Sequence, residues 1–242
     1  MSRGGALLVP GLDAAYTKKI QNIFGNSLIG YYVGGEPNGA VAIDDSGRGF
    51  NGAYTGVTLG QPGIGDGLTC PLYDGANDFM QPPAGFRNAF TPLEFSILLW
   101  YWPVSVAPWT DGTIDYCIRI GVDANNSVNI FKSSTNSVFN FQYVAGGTSD
   151  SVSLTSQSFI VPNHLGLTVS VSADQLKAYQ NGIQAGATQA TLGTWVGTPA
   201  AATTVIGASV TTPTNPANGY LQHVCVLNRA ATPAEVAAAA VI

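Results

Sequence analysis

Ile114-Asp115-Tyr116-Cys117-Ile118-Arg119-Ile120-Gly121-Val122 is the stretch that decides the fold, because it alternates with a period of two. Successive side chains of a β-strand point to opposite faces, so the run predicts a strand burying Ile114, Tyr116, Ile118, Ile120 and Val122 on one side. The same alternation sets Phe139, Phe141 and Tyr143 against Asn140 and Gln142. It also sets Leu165, Leu167, Val169 and Val171 against His164, Gly166, Thr168 and Ser170. Phe95 to Trp102 and Tyr220 to Leu227 are apolar on both faces, as strands in the middle of a layer would be. Asn181-Gly182, between Leu176–Gln180 and Ile183–Ala187, has the composition of a tight hairpin turn.

Outward from these runs the chain is punctuated by turn formers, with 29 glycines and 14 prolines in 242 residues. Many short strands joined by tight turns predict an all-β domain, a two-sheet antiparallel β-sandwich. No repeat or linker divides it, and a short helix is expected at each end. Residues 1–26 read as an arm followed by an amphipathic helix, with Asp13 as cap, Tyr16, Ile20, Ile23 and Phe24 on one face, and Gly25 as its stop. That segment either packs back on the sandwich or tethers it to a larger assembly. At the other end, Thr232-Pro233-Ala234-Glu235 has the cap, first-turn proline and third-position glutamate of a capping box, which predicts a short helix there. The domain proper is expected over 27–242.

Only 10% of the residues are charged, against about a quarter in an average globular protein, while 45% are apolar. No apolar run approaches the ~18 residues that cross a bilayer, so small and neutral polar side chains must form the surface. Nine Lys plus Arg and a net charge of -5 leave no basic stripe for nucleic acid and no attraction to an anionic membrane. Ala6 to Pro10 is too short for a secretory core, so synthesis in the cytosol is expected. Cys70, Cys117 and Cys225 form no CxxC pair. They read as buried thiols or as one disulfide plus a spare thiol.

Several segments in order resemble the laminin-G-like branch of the concanavalin A-like jelly rolls. Asp44-Asp45-Ser46-Gly47 with Asn51-Gly52 is similar to the family's early D-x-S-G and N-G elements, and Tyr73-Asp74-Gly75-Ala76-Asn77-Asp78-Phe79 to its F-D-G-x-N-D-Y segment. Phe95 to Trp100 resembles the F-T-x-x-x-W strand. Asn163-His164-Leu165 with Thr168 resembles the W-H strand, with Asn163 in place of its Trp. Lys177 to Gly182 matches the L-Y-V-N-G hairpin, and Asn228-Arg229-Ala230 leads into Glu235 like the closing N-R-A-L-T-x-x-E. The resemblance covers roughly residues 28 to 242 and implies a jelly-roll sandwich. Its members include lectins, adhesion modules, sialidase accessory domains and bacteriophage virion proteins, and a separate copy with a short leading arm looks most like the last group.

Catalytic signatures are missing. The clustered E-x-D-x-x-E of the fold's retaining glucanases does not occur, and Glu36, Glu94 and Glu235 fall in a loop, at a strand start and in a helix cap. G-x-S-x-G and the phosphate loop are absent, and His164 and His223 lie inside predicted strands, where a structural histidine is expected. No enzyme and no obligatory cofactor are expected. The resemblance raises the question of calcium, which needs six to eight oxygens. Asp44 matches the family's rim Asp, and Asp74 and Asp78 are further candidates, but the acidic pair expected after Gly219-Tyr220-Leu221 is Gln222-His223. The alternative is that Asp44 and Asp74 close Asx-turns with nearby backbone NH groups. For glycan binding, Trp109 beside Asp111 in a turn-rich loop is the candidate platform, the alternative being that Trp109 packs on its own loop.

Two functions follow as expectations. The first is a non-enzymatic bacteriophage virion protein, displayed on capsid or tail at the virion surface through contacts with other virion proteins and with copies of itself. The second is a carbohydrate-binding receptor module for host surface glycans, with or without calcium.

Overall fold

The computed structural model describes residues 15–242. Its strands, in chain order, are β1 (Leu28–Tyr32), β2 (Val41–Ala42), β3 (Gly52–Thr55), β4 (Thr58–Pro62), β5 (Thr69–Asp74), β6 (Phe79–Gln81), β7 (Glu94–Pro103) and β8 (Asp115–Gly121). There follow β9 (Ser127–Lys132), β10 (Phe139–Ala145), β11 (Thr148–Leu154), β12 (Asn163–Ser170), β13 (Gln175–Gln180), β14 (Ile183–Gln189), β15 (Thr204–Ile206) and β16 (Asn218–Leu227). The α-helices are α1 (Ala15–Phe24), α2 (Ala84–Ala89) and α3 (Pro233–Ala239). Among the described residues no helix is long and apolar enough to cross a membrane.

The strands form two antiparallel sheets. The first runs β14-β13-β12-β7-β16-β5-β4, with β1 also paired to β16. The second runs β11-β10-β9-β8-β15-β6-β3-β2. Between them lies the main core, where Ile97, Leu99 and Tyr101 of β7 and Leu167 of β12 meet Ile118 of β8 and Phe141 of β10. The sandwich and both end helices are as the sequence predicts. The hairpin turn is too, with Asn181 at φ 50° and Gly182 at φ 80° between paired Gln180 and Ile183.

A third layer distinguishes the molecule. Helices α1 and α3 lie on the outer face of the first sheet, where Tyr16, Ile20, Phe24, Val236 and Ala239 pack on Leu98, Trp100, Tyr179 and Cys225. Each large apolar side chain buried there contributes roughly 1.5–3 kcal/mol. Tyr16 locks the layer: its hydroxyl donates to the Ala239 carbonyl and accepts from Trp100 Nε1 at 2.8 Å. The cap expected at Asp13 and the arm before it lie outside the described residues. At the far end Thr232 and Glu235 make the capping box, and Arg229 grips Glu235 at 2.6 and 2.8 Å.

The structure departs from the sequence reading in two strands. β12 is buried on both faces rather than one, and Gly166 on its outer face looks onto Val236 of α3. A Cβ on Gly166 would stand 2.9 Å from Leu98 Cδ2, so glycine makes room for the Leu98 side chain of neighbouring β7, which packs into the helical layer. The second departure is in β8, where a register shift between Tyr116 and Ile118 breaks the period. Cys117 therefore joins the core and Tyr116 turns outward, the reverse of the alternation read from sequence. All three cysteines are buried free thiols.

Candidate functional site

With the first sheet roofed by helices, the outer face of the second sheet is where side chains meet solvent across several strands. The loop after β15 covers part of it, placing Ala208 on Val205 and Phe79. The rest, over β8 to β11, forms an open groove of about 420 Å³. Pairing aligns one row across all four strands, since Arg119 is opposite Asn129, Asn129 opposite Gln142, and Gln142 opposite Ser151. Side chains so paired stand about 4.5–5.5 Å apart at Cβ, which makes the row a continuous polar floor.

Hydrogen bonds fix how that floor is presented. Asn129 Nδ2 donates to Ser127 Oγ at 3.1 Å and to Gln142 Oε1 at 2.9 Å, while Gln142 Nε2 donates to Ser149 Oγ at 3.0 Å. Both Asn129 amide hydrogens are thereby committed, and its Oδ1 is left buried with no partner. Asn129 is only 3% exposed. Across from it Arg119 donates from one terminal nitrogen to the Asp123 carbonyl at 3.1 Å, and its Nε is likewise buried without an acceptor. Tyr116 lines the end of the groove and stacks on Phe131, with ring centroids 4.9 Å apart. No Asp, Glu, His or Cys is among the described residues lining the groove.

The residues expected to carry a site do other work. Trp109 is 2% exposed, so it is no platform for a sugar: its Nε1 donates to the Phe159 carbonyl at 2.8 Å and its ring packs on Phe139 and Phe159. Large apolar area wins over the loop setting, which is the alternative its turn-rich sequence left open. Asp111 Oδ1 receives Lys132 Nζ at 2.6 Å, and the same ammonium lies 3.6 Å from Asp115 Oδ2. Burial pushes the Asp111 carboxyl up, but the hydrogen bonds from Lys132 and Thr113 outweigh it and hold the group below its ordinary value.

The three aspartates weighed for calcium do not form a metal set, and among the described residues no three His, Cys, Asp or Glu side chains do. Asp44 accepts from Tyr31 N at 3.0 Å, Ser46 N at 3.0 Å, Ser46 Oγ at 2.8 Å and Phe50 N at 2.8 Å. Its lone pairs face chain donors rather than a shared cavity. Asp74 accepts from Ala76 N, and Asp78 from Asp74 N, closing the turn between β5 and β6. These are the Asx-type turns that stood as the alternative. Burial, with Asp74 nearby, pushes the Asp78 carboxyl up, against the ionised form that a metal needs.

Both histidines are structural. His223 has φ 52° at a bulge in β16; its Nε2 lies 2.7 Å from Asp66 Oδ2 and its Nδ1 2.8 Å from the Tyr31 hydroxyl. Burial pushes its pKa down, so a neutral ring donates to Asp66 and accepts from Tyr31. The groove itself escapes a strand-by-strand reading. Gln142 and Arg119 are legible as off-core positions, but the run 127–132 has no clean alternation, and the row exists only through the register of four strands.

A family model described as the concanavalin A-like lectin/glucanases superfamily matches residues 74–237. No curated protein sequence matches the chain. Among solved structures, the binding domain of Paraclostridial Mosquitocidal Protein 1 superposes with a TM-score of 0.65 at 16% identity, covering 87% of this chain and 51% of that one. The botulinum neurotoxin serotype D binding domain gives 0.64 at 12% identity, covering 90% and 52%. Trypanosoma rangeli sialidase gives 0.64 at 12% identity, covering 94% and 37%. The chain thus spans about half the length of the two toxin domains and just over a third of the sialidase. At these identities the likeness establishes the fold.

Proposed function

The chain belongs to the concanavalin A-like lectin/glucanases superfamily, and from that premise we propose that it is a non-enzymatic binding module whose groove on the second sheet takes up a carbohydrate. One observation carries this reading: Asn129, whose Oδ1 is buried without a partner, lines an open groove floored by amides and hydroxyls. A buried acceptor left empty costs roughly 1–3 kcal/mol, and a sugar hydroxyl supplies the missing donor. The surrounding Gln142, Ser149 and Asn125 can each donate and accept, as the two-way hydrogen bonding of hydroxyls requires. Tyr116 adds apolar surface for the C–H face of a sugar ring. A retaining or inverting glycosidase needs two carboxyl groups across the scissile bond, and the groove supplies none, which supports binding without turnover.

We place this module on the surface of a bacteriophage particle, joined to other virion proteins and to copies of itself. Support for that setting comes from the sequence resemblance and from the scarcity of charge, which leaves a hydroxyl- and amide-rich surface suited to crowding on a particle. Immunogold labelling of intact particles is expected to decorate capsid or tail; label confined to the host lysate would overturn the setting.

The binding reading is tested on a glycan array with the wild-type protein and Gln142→Ala. Expected is a restricted set of glycans bound by the wild type and lost in Q142A at unchanged Tm. Background binding to every glycan, or an unchanged profile in Q142A, would overturn it.

A further inference from the structure

We infer that the sugar taken up by this groove is anionic, and that Arg119 selects its carboxylate; this rests on reading the groove as a carbohydrate site. Arg119 is the only charged side chain among the described residues that line it. It makes no ion pair: among the described residues the side-chain cations in salt bridges are Lys132 and Arg229. Of the two acidic residues four positions away, Asp115 lies beside Lys132 and Asp123 offers Arg119 only its carbonyl. The Asp123 carboxylate is turned to Asn125 N at 2.8 Å and Asn126 Nδ2 at 3.3 Å.

The guanidinium is thus anchored through one terminal nitrogen and lines the groove without a counter-charge. Its Nε–H is buried with no acceptor, and a guanidinium presents its donors as a planar fork that matches the two oxygens of a carboxylate. Directly opposite in register stands Asn129, whose free Oδ1 accepts but cannot donate. A donor fork and a bare acceptor about 5 Å apart at Cβ match two neighbouring groups on one sugar ring, a carboxylate and an adjacent hydroxyl. A neutral sugar would satisfy Asn129 and leave the Nε–H with weaker hydroxyl acceptors. A single Arg on a chain of net charge -5 also fits one carboxylate better than a run of phosphates or sulfates, which call for clustered cations.

The experiment is calorimetric titration with tri-galacturonate, a hyaluronan tetrasaccharide and 3′-sialyllactose, each beside its methyl ester, which keeps the shape and removes the charge. Wild-type protein is expected to bind at least one acid roughly ten-fold or more tightly than its ester. In Arg119→Gln that ratio is expected to fall to about one, and in Arg119→Lys, a point charge without the fork, to lie between. Circular dichroism melts confirm that both variants are folded. Equal affinity for acid and ester in the wild type, or a ratio unchanged in R119Q, would overturn the inference while leaving carbohydrate binding intact. Binding of only neutral array glycans would do the same. Absence of binding to every glycan, charged or neutral, would overturn both.

Discussion

His164 makes the first sheet's helical roof a source of acid sensitivity. The ring is 2% exposed, set edge-on to Trp100 at 5.3 Å between centroids, and its Nδ1 has no partner. Burial, aided slightly by His223, lowers its pKa from 6.5 to about 3. Above 6.5 folded and unfolded chains both carry a neutral ring, and nothing is lost. Below it the unfolded chain takes up a proton that the folded chain refuses, so stability falls until the pH nears about 3. Between about pH 7.5 and 5.0 the unfolded ring gains about 1.5 pH units of protonation free energy, which at 1.36 kcal/mol per unit is about 2 kcal/mol. Other groups titrate in the same window. Asp45, raised by burial and by Glu36 and Asp44 to about 6, acts with the opposite sign, because its ionisation costs stability that returns as the pH falls. His223 acts with the same sign as His164. Both groups remain in His164→Gln, so their effects cancel in the difference between the two proteins. Urea unfolding of wild type and H164Q at the two pH values is expected to show the wild type losing about 2 kcal/mol relative to the variant on acidification. A gap between the proteins that is the same at both pH values would refute the reasoning, whatever the absolute stability of H164Q.

The roof is also testable at Tyr16. Tyr16→Phe strands Trp100 Nε1 and the Ala239 carbonyl, and is expected to cost about 2 kcal/mol, or roughly 4–8 °C in Tm for a chain of this size. Combined with Trp100→Phe the losses should be less than additive in a double-mutant cycle; strict additivity would argue that the bond does not form. Glu235→Gln keeps an amide oxygen that can close the capping box but removes the charge paired with Arg229, and should lower stability at neutral pH by up to about 1 kcal/mol, a modest effect because both groups are partly exposed. Arg229, opposed by burial, holds Glu235 at about 2 against an ordinary 4.5, so the difference should vanish as the pH falls through that range; a difference persisting at about pH 2 would contradict it. The three cysteines are buried, with Cys70 pushed up to about 12 by burial and by Asp66 nearby. A thiol-specific disulfide reagent should therefore react slowly with native protein and titrate all three after denaturation. Rapid modification of the native chain would show the core to be open.

What the sequence made legible follows from local rules. Alternation found the strands at 139–145 and 163–170, Asn181-Gly182 found the hairpin, and Thr232 to Glu235 found the last helix, because each signal lies within a few residues of what it specifies. The inversion of Tyr116 and Cys117 was not legible, since a bulge inserts a residue without a compositional mark. Trp109 was misplaced for a related reason. A turn-rich loop is normally exposed, and only the fold shows Phe159, fifty positions away, closing over it. The groove was hidden most completely. Period two says which residues leave the core, but not that Arg119, Asn129, Gln142 and Ser151 share one row.

Low charge acquires a specific meaning in this architecture. A two-layer sandwich would give its first sheet an outer face on which to place charges, but α1 and α3 occupy that face and demand apolar residues there. On the second sheet the covered half needs Phe79 and Val205, and the open half carries amides and hydroxyls. Several of the charges that remain are tied to the fold. Lys132 sits between Asp111 and Asp115, Arg229 caps α3 through Glu235, and Asp44 gathers the chain around β1. Arg119 differs from these. Among the described residues its Nε is the only buried cationic nitrogen without an acceptor, and the residue lines the groove. A fold that spends so little charge, and leaves this one unsatisfied beside a bare amide oxygen, has its unmet hydrogen bonding directed at something outside itself.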